Sequence, residues 1–140
     1  MSTAKNVAKA PEVQLIANAV ISDGAHRVLL TRYGDDGDER WWLPGAQLQP
    51  YEHPDEALQR ALDALLPAAP SRALNHVESF RGRRGWHVMF NYLVTVAPGA
   101  DSGADGQWFP TDALPAFVHG PWEAGVIAKA LRAADGTVAP

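Results

Sequence analysis

The sequence contains no cysteine among its 140 residues. This absence excludes a disulfide framework, a thiolate metal site and a cysteine nucleophile. Basic residues are also few, since 12 Lys and Arg stand against 16 Asp and Glu and give a formal net charge of -4. Because nucleic acids and anionic membranes attract a surplus of positive charge, we expect neither of them as a partner.

Long hydrophobic runs are missing as well. No apolar stretch approaches the ~18 residues that cross a bilayer, and residues 1–12 lack the continuous apolar core of a signal peptide. Hydrophobic residues nevertheless make up 46% of the chain, which suits one compact domain with a real core. We expect a cytoplasmic protein with a flexible tail over residues 1–12, a single domain over residues 13–134 and a C-terminal tail over residues 135–140.

Short β-rich runs open the predicted domain. The runs VQLIANAVI (Val13–Ile21) and RVLLTRY (Arg27–Tyr33) flank the turn signal Asp23-Gly24, a pattern that predicts a hairpin. The runs HVESF and WHVMFNYLVTV flank RGRRG, which predicts a second hairpin with a basic tip. QWF predicts one further short strand.

Two helices are predicted, one in the middle of the chain and one near its end. Pro54 suits the first helical position, and Pro67 with Pro70 forces an end, so the first helix runs from about 54 to 66. The second is predicted between Gly120 and Ala134, where apolar residues recur at helical spacing. Strands, helix, strands and helix in this order predict an α+β or α/β sandwich.

The segment WWLPGAQLQPYEHPDEALQRAL, with the strand pair before it and QWFPTDALP after the second hairpin, resembles a Nudix hydrolase domain. The resemblance covers roughly Val13 to Leu131. It implies an α+β fold in the form of a Nudix-like α/β/α sandwich with a mixed β-sheet. It also implies a loop-helix-loop that binds magnesium or manganese and cleaves nucleoside diphosphates linked to another group. Many members are homodimers, and we expect one here.

Only part of the Nudix signature matches this sequence. The signature is a Gly, five residues, Glu, seven residues, Arg-Glu, an apolar residue, any residue, Glu-Glu, any residue, Gly and an apolar residue. Its first Glu falls on Glu52 and its Arg on Arg60, whereas its other three Glu positions fall on Ala61, Ala64 and Leu65. Magnesium takes hard oxygen ligands, and these three side chains carry no oxygen. We therefore expect no metal site, and no magnesium or manganese cofactor, on this helix.

Apolar residues take the place of the missing acids. They cover about 200° of the helix and comprise Ala57, Leu58, Ala61, Leu62, Ala64, Leu65 and Leu66. For the former metal face, defined as Ala61, Ala64 and Leu65, three interpretations remain open. It is a core sealed by the loop and the strands, an apolar ligand pocket, or a contact surface for another protein.

The two matching charged residues have a structural interpretation and a functional one. Arg60 lies two helical turns beyond Glu52 and most simply bridges the helix to the loop through Glu52 or Glu56. The functional interpretation makes Arg60 a ligand-binding residue. Tyr51 occupies the position before the first Glu, where the family usually has glycine.

Aromatic and basic residues supply the other candidates for ligand binding, because rings and guanidinium groups stack on bases. The candidate set is Trp41, Trp42, Arg60, Arg81, Arg83, Arg84 and Trp86. In the family, a residue near the LPG turn often lies beside the substrate, so we expect Trp41 or Trp42 to line the cleft. For the three Arg of the second hairpin, a solvated tip is the alternative.

Two functions follow from these observations. We prefer a non-catalytic Nudix-like domain, without catalytic residues, that serves as a ligand-binding, regulatory or assembly module, because some members of the superfamily are binders or regulators. Its ligand would be a nucleotide-like or apolar small molecule. The alternative is a magnesium- or manganese-dependent pyrophosphohydrolase of nucleoside diphosphate-linked substrates. Its catalytic residues would be Glu52 and Glu56, and Glu78, Asp101 or Asp105 would help to hold the ions.

Overall fold

A computed structural model describes residues 12–34, 39–66, 71–82, 85–103 and 105–134 of the chain. These residues form seven strands and two helices. The strands are β1 (Val13–Ser22), β2 (Arg27–Arg32), β3 (Trp41–Trp42), β4 (Gly45–Gln47), β5 (Ser71–Gly82), β6 (Gly85–Thr95) and β7 (Gly106–Pro110). The helices are α1 (Pro54–Asp63) and α2 (Pro121–Ala134).

The strands form one mixed sheet in the order β3-β2-β1-β6-β5. β1 and β6 run parallel, and the remaining neighbours are antiparallel. β1 also has two partners on its other side, because β4 pairs with Ile16 to Asn18 whereas β2 pairs with Ile21 and Ser22. β7 pairs with β2. β4 and β2 therefore pair with different parts of the same edge of β1.

The sheet has a hydrophobic core on each face. Successive residues of a strand point to opposite faces, and accordingly Ala19 and Ile21 pack with α1 while Val20 packs with α2. On the α1 face, Leu58 and Leu62 are fully buried, and burial of one leucine side chain stabilises the fold by about 1.5–3 kcal/mol. The predicted α+β sandwich around a mixed sheet is confirmed.

Helix α1 begins at Pro54 as predicted but ends at Asp63, three residues before the predicted end. The backbone N–H of Leu65 donates to the carbonyl of Leu62, three residues back, and this 3₁₀-type bond tightens the turn that follows the helix. Much of the apolar arc of α1 packs into the core of this same chain, with Ala57, Leu58 and Leu62 buried. The homodimer itself stays a prediction.

Other sequence expectations are also corrected or lie outside the described residues. The second hairpin begins at Ser71 rather than at His76, so its first strand is 12 residues long. Of the predicted tails, residues 1–12 and 135–140, all but residue 12 lie outside the described ranges, as do Arg83 and Arg84. Across those ranges, neither helix has the length and hydropathy needed to traverse a bilayer.

Candidate functional site

Glu52 and Arg60 form a two-pronged ion pair between the loop before α1 and the last turn of the helix. Arg60 Nε donates to Glu52 Oε2 at 2.8 Å, and Arg60 Nη2 donates to Oε1 at 2.6 Å. The same Nη2 also donates to the backbone carbonyl of Gln47 at 3.0 Å. The predicted bridge between helix and loop is thereby confirmed, with Glu52 as the partner.

The surroundings of Glu52 stabilise its ionised form. Hydrogen bonds from the Arg60 guanidinium, and then from the backbone N–H of Gln49, hold the pKa of Glu52 at about 2. A general base works best when its pKa lies near the working pH. The pKa of Glu52 is therefore too low for a general base at neutral pH. Its contacts with Arg60 and Gln49 hold the loop in place.

Glu56 takes part in the N-terminal cap of α1. Its Oε1 accepts a hydrogen bond from the backbone N–H of His53 at 2.8 Å, while His53 Nδ1 accepts one from the N–H of Asp55 at 3.0 Å. This reciprocal capping box satisfies two backbone donors that have no partner inside the helix. Glu56 is not among the residues that line the cavity described next.

A cavity of about 430 Å³ opens between α1 with the turn after it, the middle of β1, the strands β2 to β4 and the segment before β7. Small-molecule sites usually occupy about 300–1,000 Å³, so its size suits a ligand. It is lined by Ile16, Asn18, Thr31, Arg32, Trp42, Leu43, Pro44, Gly45, Ala46, Gln47, Ala61, Ala64, Leu65 and Asp105. Most of these residues were not candidates from sequence, because they come together only when the strands assemble.

The former metal face forms one wall of this cavity. Ala64 is exposed and Ala61 half-buried, whereas Leu65 is 7% exposed and belongs to the core on the α1 face. The face is thus not sealed, since all three residues line open space. The wall offers carbon atoms where the signature would place carboxylates.

Comparison with solved structures identifies the architecture. No protein-family model matches the chain, and no curated protein matches it. The structure is similar to a MutT NUDIX hydrolase from Burkholderia pseudomallei, with a TM-score of 0.66 and 20% identity over 84% of this chain and 98% of that one. This chain has the Nudix fold.

A second neighbour with the Nudix fold is NrtR from Shewanella oneidensis, with a TM-score of 0.70 and 20% identity over 88% of this chain. This chain spans 63% of the NrtR chain. The separate NUDIX domain of NrtR, solved in complex with ADP ribose, is similar over 95% of this chain and 96% of its own, with a TM-score of 0.64 and 20% identity. These similarities support the fold expected from the sequence.

Among the described residues, the side chains at the cavity do not match the donor set that the Nudix signature provides for a magnesium or manganese ion. Within the described ranges there is no group of three or more His, Asp or Glu side chains placed to hold a metal. Among the residues that line the cavity, Asp105 supplies the single carboxylate. The Nudix signature would add three carboxylates from the helix segment, and a single carboxylate at Asp105 offers fewer oxygen ligands than that.

The alternative metal ligands suggested by the sequence lie in different places. Glu78 Oε1 is 2.9 Å from His76 Nε2, and its Oε2 accepts a hydrogen bond from Trp122 Nε1 at 2.8 Å. Since Trp122 belongs to α2, Glu78 lies on the sheet face opposite α1. Asp101 is exposed in the segment before β7, and only Asp105 reaches the cavity.

The two adjacent tryptophans have different environments. Trp41 is 8% exposed and packs edge-on against Phe109 in the core on the α2 face, with ring centroids 4.9 Å apart. Trp42 is 38% exposed, lines the cavity and contacts Tyr33 edge-on at 4.8 Å. Of the two candidates, Trp42 is the one with a ring accessible to a ligand.

Arg81 and Trp86 lie at the second hairpin and share no cavity with Trp42. They line a separate cavity of about 570 Å³ together with Ser79, Phe80, Gly82 and Gly85. Trp86 Nε1 donates to the hydroxyl of Ser79 at 2.6 Å. The structure thus brings Arg81 and Trp86 together but separates them from Arg60.

A chain of hydrogen-bonded polar side chains lies on the face of the sheet that packs against α2. Asn18 Nδ2 lies 3.3 Å from Asn91 Oδ1, and Asn91 Nδ2 lies 3.1 Å from His76 Nε2. His76 contacts Glu78, which in turn accepts from Trp122. The sequence carried a signal for this feature in Asn18, a polar residue in the middle of the apolar run VQLIANAVI.

Proposed function

We propose that this domain is a non-catalytic binding module that holds a small molecule in the 430 Å³ cavity without a metal ion. One observation carries the proposal: the cavity is open, yet its wall from α1 and the turn after it consists of Ala61, Ala64 and Leu65. The scaffold of a Nudix cleft is present without the oxygen ligands on the helix.

The chemistry of phosphoanhydride cleavage explains why these side chains matter. Bound metal ions neutralise the charge on the phosphoryl oxygens and activate the attacking water. Ala and Leu cannot bind such ions, and Glu52 is held in its ion pair with Arg60. A wall of this composition supports binding by shape and apolar contact rather than hydrolysis.

Trp42 supports a nucleotide-like ligand with a planar ring. Its indole is exposed at the cavity, and aromatic side chains stack on bases with about 1–3 kcal/mol per base. The NUDIX domain of NrtR, which has been solved with ADP ribose, offers a parallel of the same fold. A regulatory or assembly role would follow if the occupied cavity alters contacts with a partner.

The proposal is tested by isothermal titration calorimetry in buffer with EDTA, using adenosine, cytidine, uridine, AMP, ADP and ADP-ribose as probes. We expect at least one probe to bind the unmodified protein. The substitutions Trp42→Ala and Ala64→Phe should weaken that binding at least tenfold, because the first removes the ring and the second fills the cavity.

The matched control is Ala128→Phe, which changes an exposed alanine on α2 away from the cavity. It should leave the affinity unchanged. Binding that appears only when magnesium or manganese is added, or that is equally strong in the Ala64→Phe variant, would contradict the proposal.

A further inference from the structure

The strand β5 forms one edge of the sheet. Within the described ranges, β5 pairs with β6 alone, so its other side presents backbone N–H and C=O groups that have no strand partner there. β5 is 12 residues long, whereas β3 at the opposite edge has two residues. A long open edge is a template for pairing with another chain.

The edge of β5 carries few of the features that prevent such pairing. Natural sheets protect their edges with lysine, proline or bulges. β5 contains neither lysine nor proline. Its bulge lies at Asn75, between Leu74 and His76, and from His76 to Gly82 the strand pairs with β6 without a break. Most of this edge is therefore regular and accessible to a further strand.

Exposed apolar side chains are concentrated at the same side of the sheet. Seven large hydrophobic residues are exposed in the described part of the chain, and five of them lie on β5, β6 or β1. Leu74 and Val77, both on β5, are each 50% exposed. A concentration of exposed apolar surface marks an interaction site. The five residues are Val13, Leu74, Val77, Phe80 and Trp86.

The pairing with β6 shows which side chains of β5 share a face. Leu74 pairs with Tyr92 and Val77 with Phe90, and both partners pack in the core on the α1 face. Opposite residues of an antiparallel pair lie on the same face, so Leu74 and Val77 lie on the α1 face too. The β5 residues on this face are Arg72, Leu74, Val77, Ser79 and Arg81.

A second copy fits this edge only in certain registers. Two β5 strands related by a two-fold axis run antiparallel, and one residue then lies opposite itself at the axis. An axis at Val77 places Arg72 opposite Arg81 of the second copy. An axis at Glu78 places two carboxylates opposite each other. Like charges at opposite positions destabilise a pair of strands, so both registers are disfavoured.

An axis at His76 matches the exposed apolar residues instead. When the bulged residue is left out of the pairing, Leu74 of each copy lies opposite Val77 of the other. Arg72 lies opposite Ser79, which carries no charge. Each of these pairs forms twice because of the symmetry. The two half-exposed apolar residues of β5 therefore cover each other in this register.

We propose that β5 is a homodimer interface, in which two copies pair their β5 strands antiparallel about a two-fold axis at His76. The sheet then continues across both chains. A pairing confined to one strand is smaller than the standard interface of about 1,600 Å², so the dimer dissociates on dilution. None of the described residues that line the 430 Å³ cavity belongs to β5, and the interface is thus independent of the proposed ligand.

Sedimentation equilibrium of the full chain tests the association, at concentrations from about 5 to 500 µM that suit a small interface. We expect a monomer–dimer equilibrium. Leu74→Lys and Val77→Lys should each weaken dimerisation by about tenfold or more, because each places a lysine on the edge. The matched control is Val13→Lys, which changes an exposed valine of β1 on the same face. It should leave the dissociation constant of the dimer within about twofold.

Two results would overturn the proposal. A monomer at every concentration would exclude a second copy as the occupant of this edge. A dimer that persists unchanged in both lysine variants of β5 would place the contact between the copies elsewhere. Thermal unfolding of each variant verifies that it is folded.

Cysteine cross-linking tests the register, since the chain has no cysteine of its own. Opposite residues have Cβ atoms about 4.5–5.5 Å apart, whereas diagonal neighbours are about 7–8 Å apart. Under mild oxidation, a mixture of Leu74→Cys and Val77→Cys proteins should therefore form a disulfide-linked dimer about tenfold faster than either variant alone. Faster cross-linking by Val77→Cys alone would place the axis at Val77 and overturn the register centred on His76.

Discussion

The two ends of the loop-helix segment, defined here as Gln47–Leu66, use different chemistry. At the loop end, Glu52 pairs with Arg60, and Glu56 caps the helix together with His53. At the cavity end, the wall of α1 and the turn after it is made of Ala and Leu side chains. The charges of the loop end are thus satisfied by Arg60 and by the backbone of α1, while the wall residues Ala61, Ala64 and Leu65 carry no charge.

This difference shows that the contacts that hold the loop in place are distinct from the positions where the signature would place metal ligands. The loop is fixed by a two-pronged ion pair and a capping box, neither of which needs a metal ion. A segment held in this way keeps its shape when its metal-binding side chains are absent. The predictions that follow are ordered from the largest expected effect to the smallest.

The largest effect is expected from an acid placed at the buried residue of the former metal face. Leu65 is 7% exposed and belongs to the core with Leu29 and Leu62. We expect Leu65→Glu to lower the free energy of unfolding by more than about 3 kcal/mol, because it buries a charge and removes apolar contacts. The measurement is urea unfolding at pH 7.

Ala64→Glu is the matched control, since Ala64 is exposed at the same wall. It should change the free energy of unfolding by no more than about 0.5 kcal/mol. Equal effects of the two substitutions would contradict the different burial of these neighbouring residues.

A gain of metal affinity is expected when acids are placed at the two accessible positions. The variant Ala61→Glu/Ala64→Glu adds two carboxylates to a cavity that already has Asp105. We expect it to bind Mn²⁺ at least tenfold more tightly than the unmodified protein, because hard oxygen ligands then converge on one space. The measurement is calorimetric titration with MnCl₂.

The control is the variant Ala128→Glu/Ala133→Glu, which places two acids at exposed residues of α2 and has the same net charge as the cavity variant. This control should bind no more Mn²⁺ than the unmodified protein. If the cavity variant behaves like the control, then the cavity does not admit an ion with its water molecules, and its role as an open cleft would be contradicted.

A smaller, pH-dependent effect is expected at the loop end. The pKa of Glu52 is held at about 2, below its ordinary value of 4.5, chiefly by the hydrogen bond from Arg60. A carboxyl group whose pKa is lowered in the folded state stabilises the fold fully above its unfolded pKa and loses this contribution as the pH falls. Arg60→Ala should therefore lower the urea midpoint at pH 7, and the difference from the unmodified protein should shrink between about pH 4.5 and pH 2.

Glu52→Gln provides the comparison for this ion pair, and the double variant tests whether the two residues act together. The double variant should be little less stable than either single variant, because each removes the same interaction. A difference that stays constant from pH 7 to pH 2 would mean that the pair does not account for the effect of Arg60.

The smallest effect is expected at Tyr51, which has a backbone φ of 65° and a fully exposed side chain. A non-glycine residue in the left-handed region costs about 1–2 kcal/mol, and glycine loses part of that gain through its flexibility in the unfolded chain. We expect Tyr51→Gly to raise the free energy of unfolding by up to about 1 kcal/mol in urea unfolding experiments. His26→Gly is the matched variant, with a φ of 64° in the first hairpin. A clear loss of stability in Tyr51→Gly would show that the tyrosine ring makes a contribution of its own.

Much of the fold was predictable because its signals are local. Short β-rich runs on either side of Asp23-Gly24 marked β1 and β2, and Pro54 marked the start of α1. The end of α1 was predicted three residues too late, since the apolar pattern continues into Leu65 and Leu66 although the helix does not. The spacing of apolar residues predicts which side chains are buried. It does not predict the residue at which the helical backbone hydrogen bonds end.

The site was predictable only in part, for a related reason. The lost acids of α1 and the bridge from Arg60 to Glu52 follow from spacing within one segment. How separate strands pair decides which of Trp41 and Trp42 reaches the cavity. It also decides that Asn18 is buried. The hydrogen-bond partner of Asn18, Asn91, lies 73 residues away in the sequence.

The most direct test of the central claim measures hydrolysis by the purified protein at millimolar Mg²⁺ or Mn²⁺. Substrates are ADP-ribose, diadenosine polyphosphates and UDP-glucose, and Glu52→Gln serves as the comparison. The account predicts release of mononucleotide or phosphate at the rate of a protein-free sample in both proteins. Metal-dependent turnover by the unmodified protein that is lost in Glu52→Gln would contradict it.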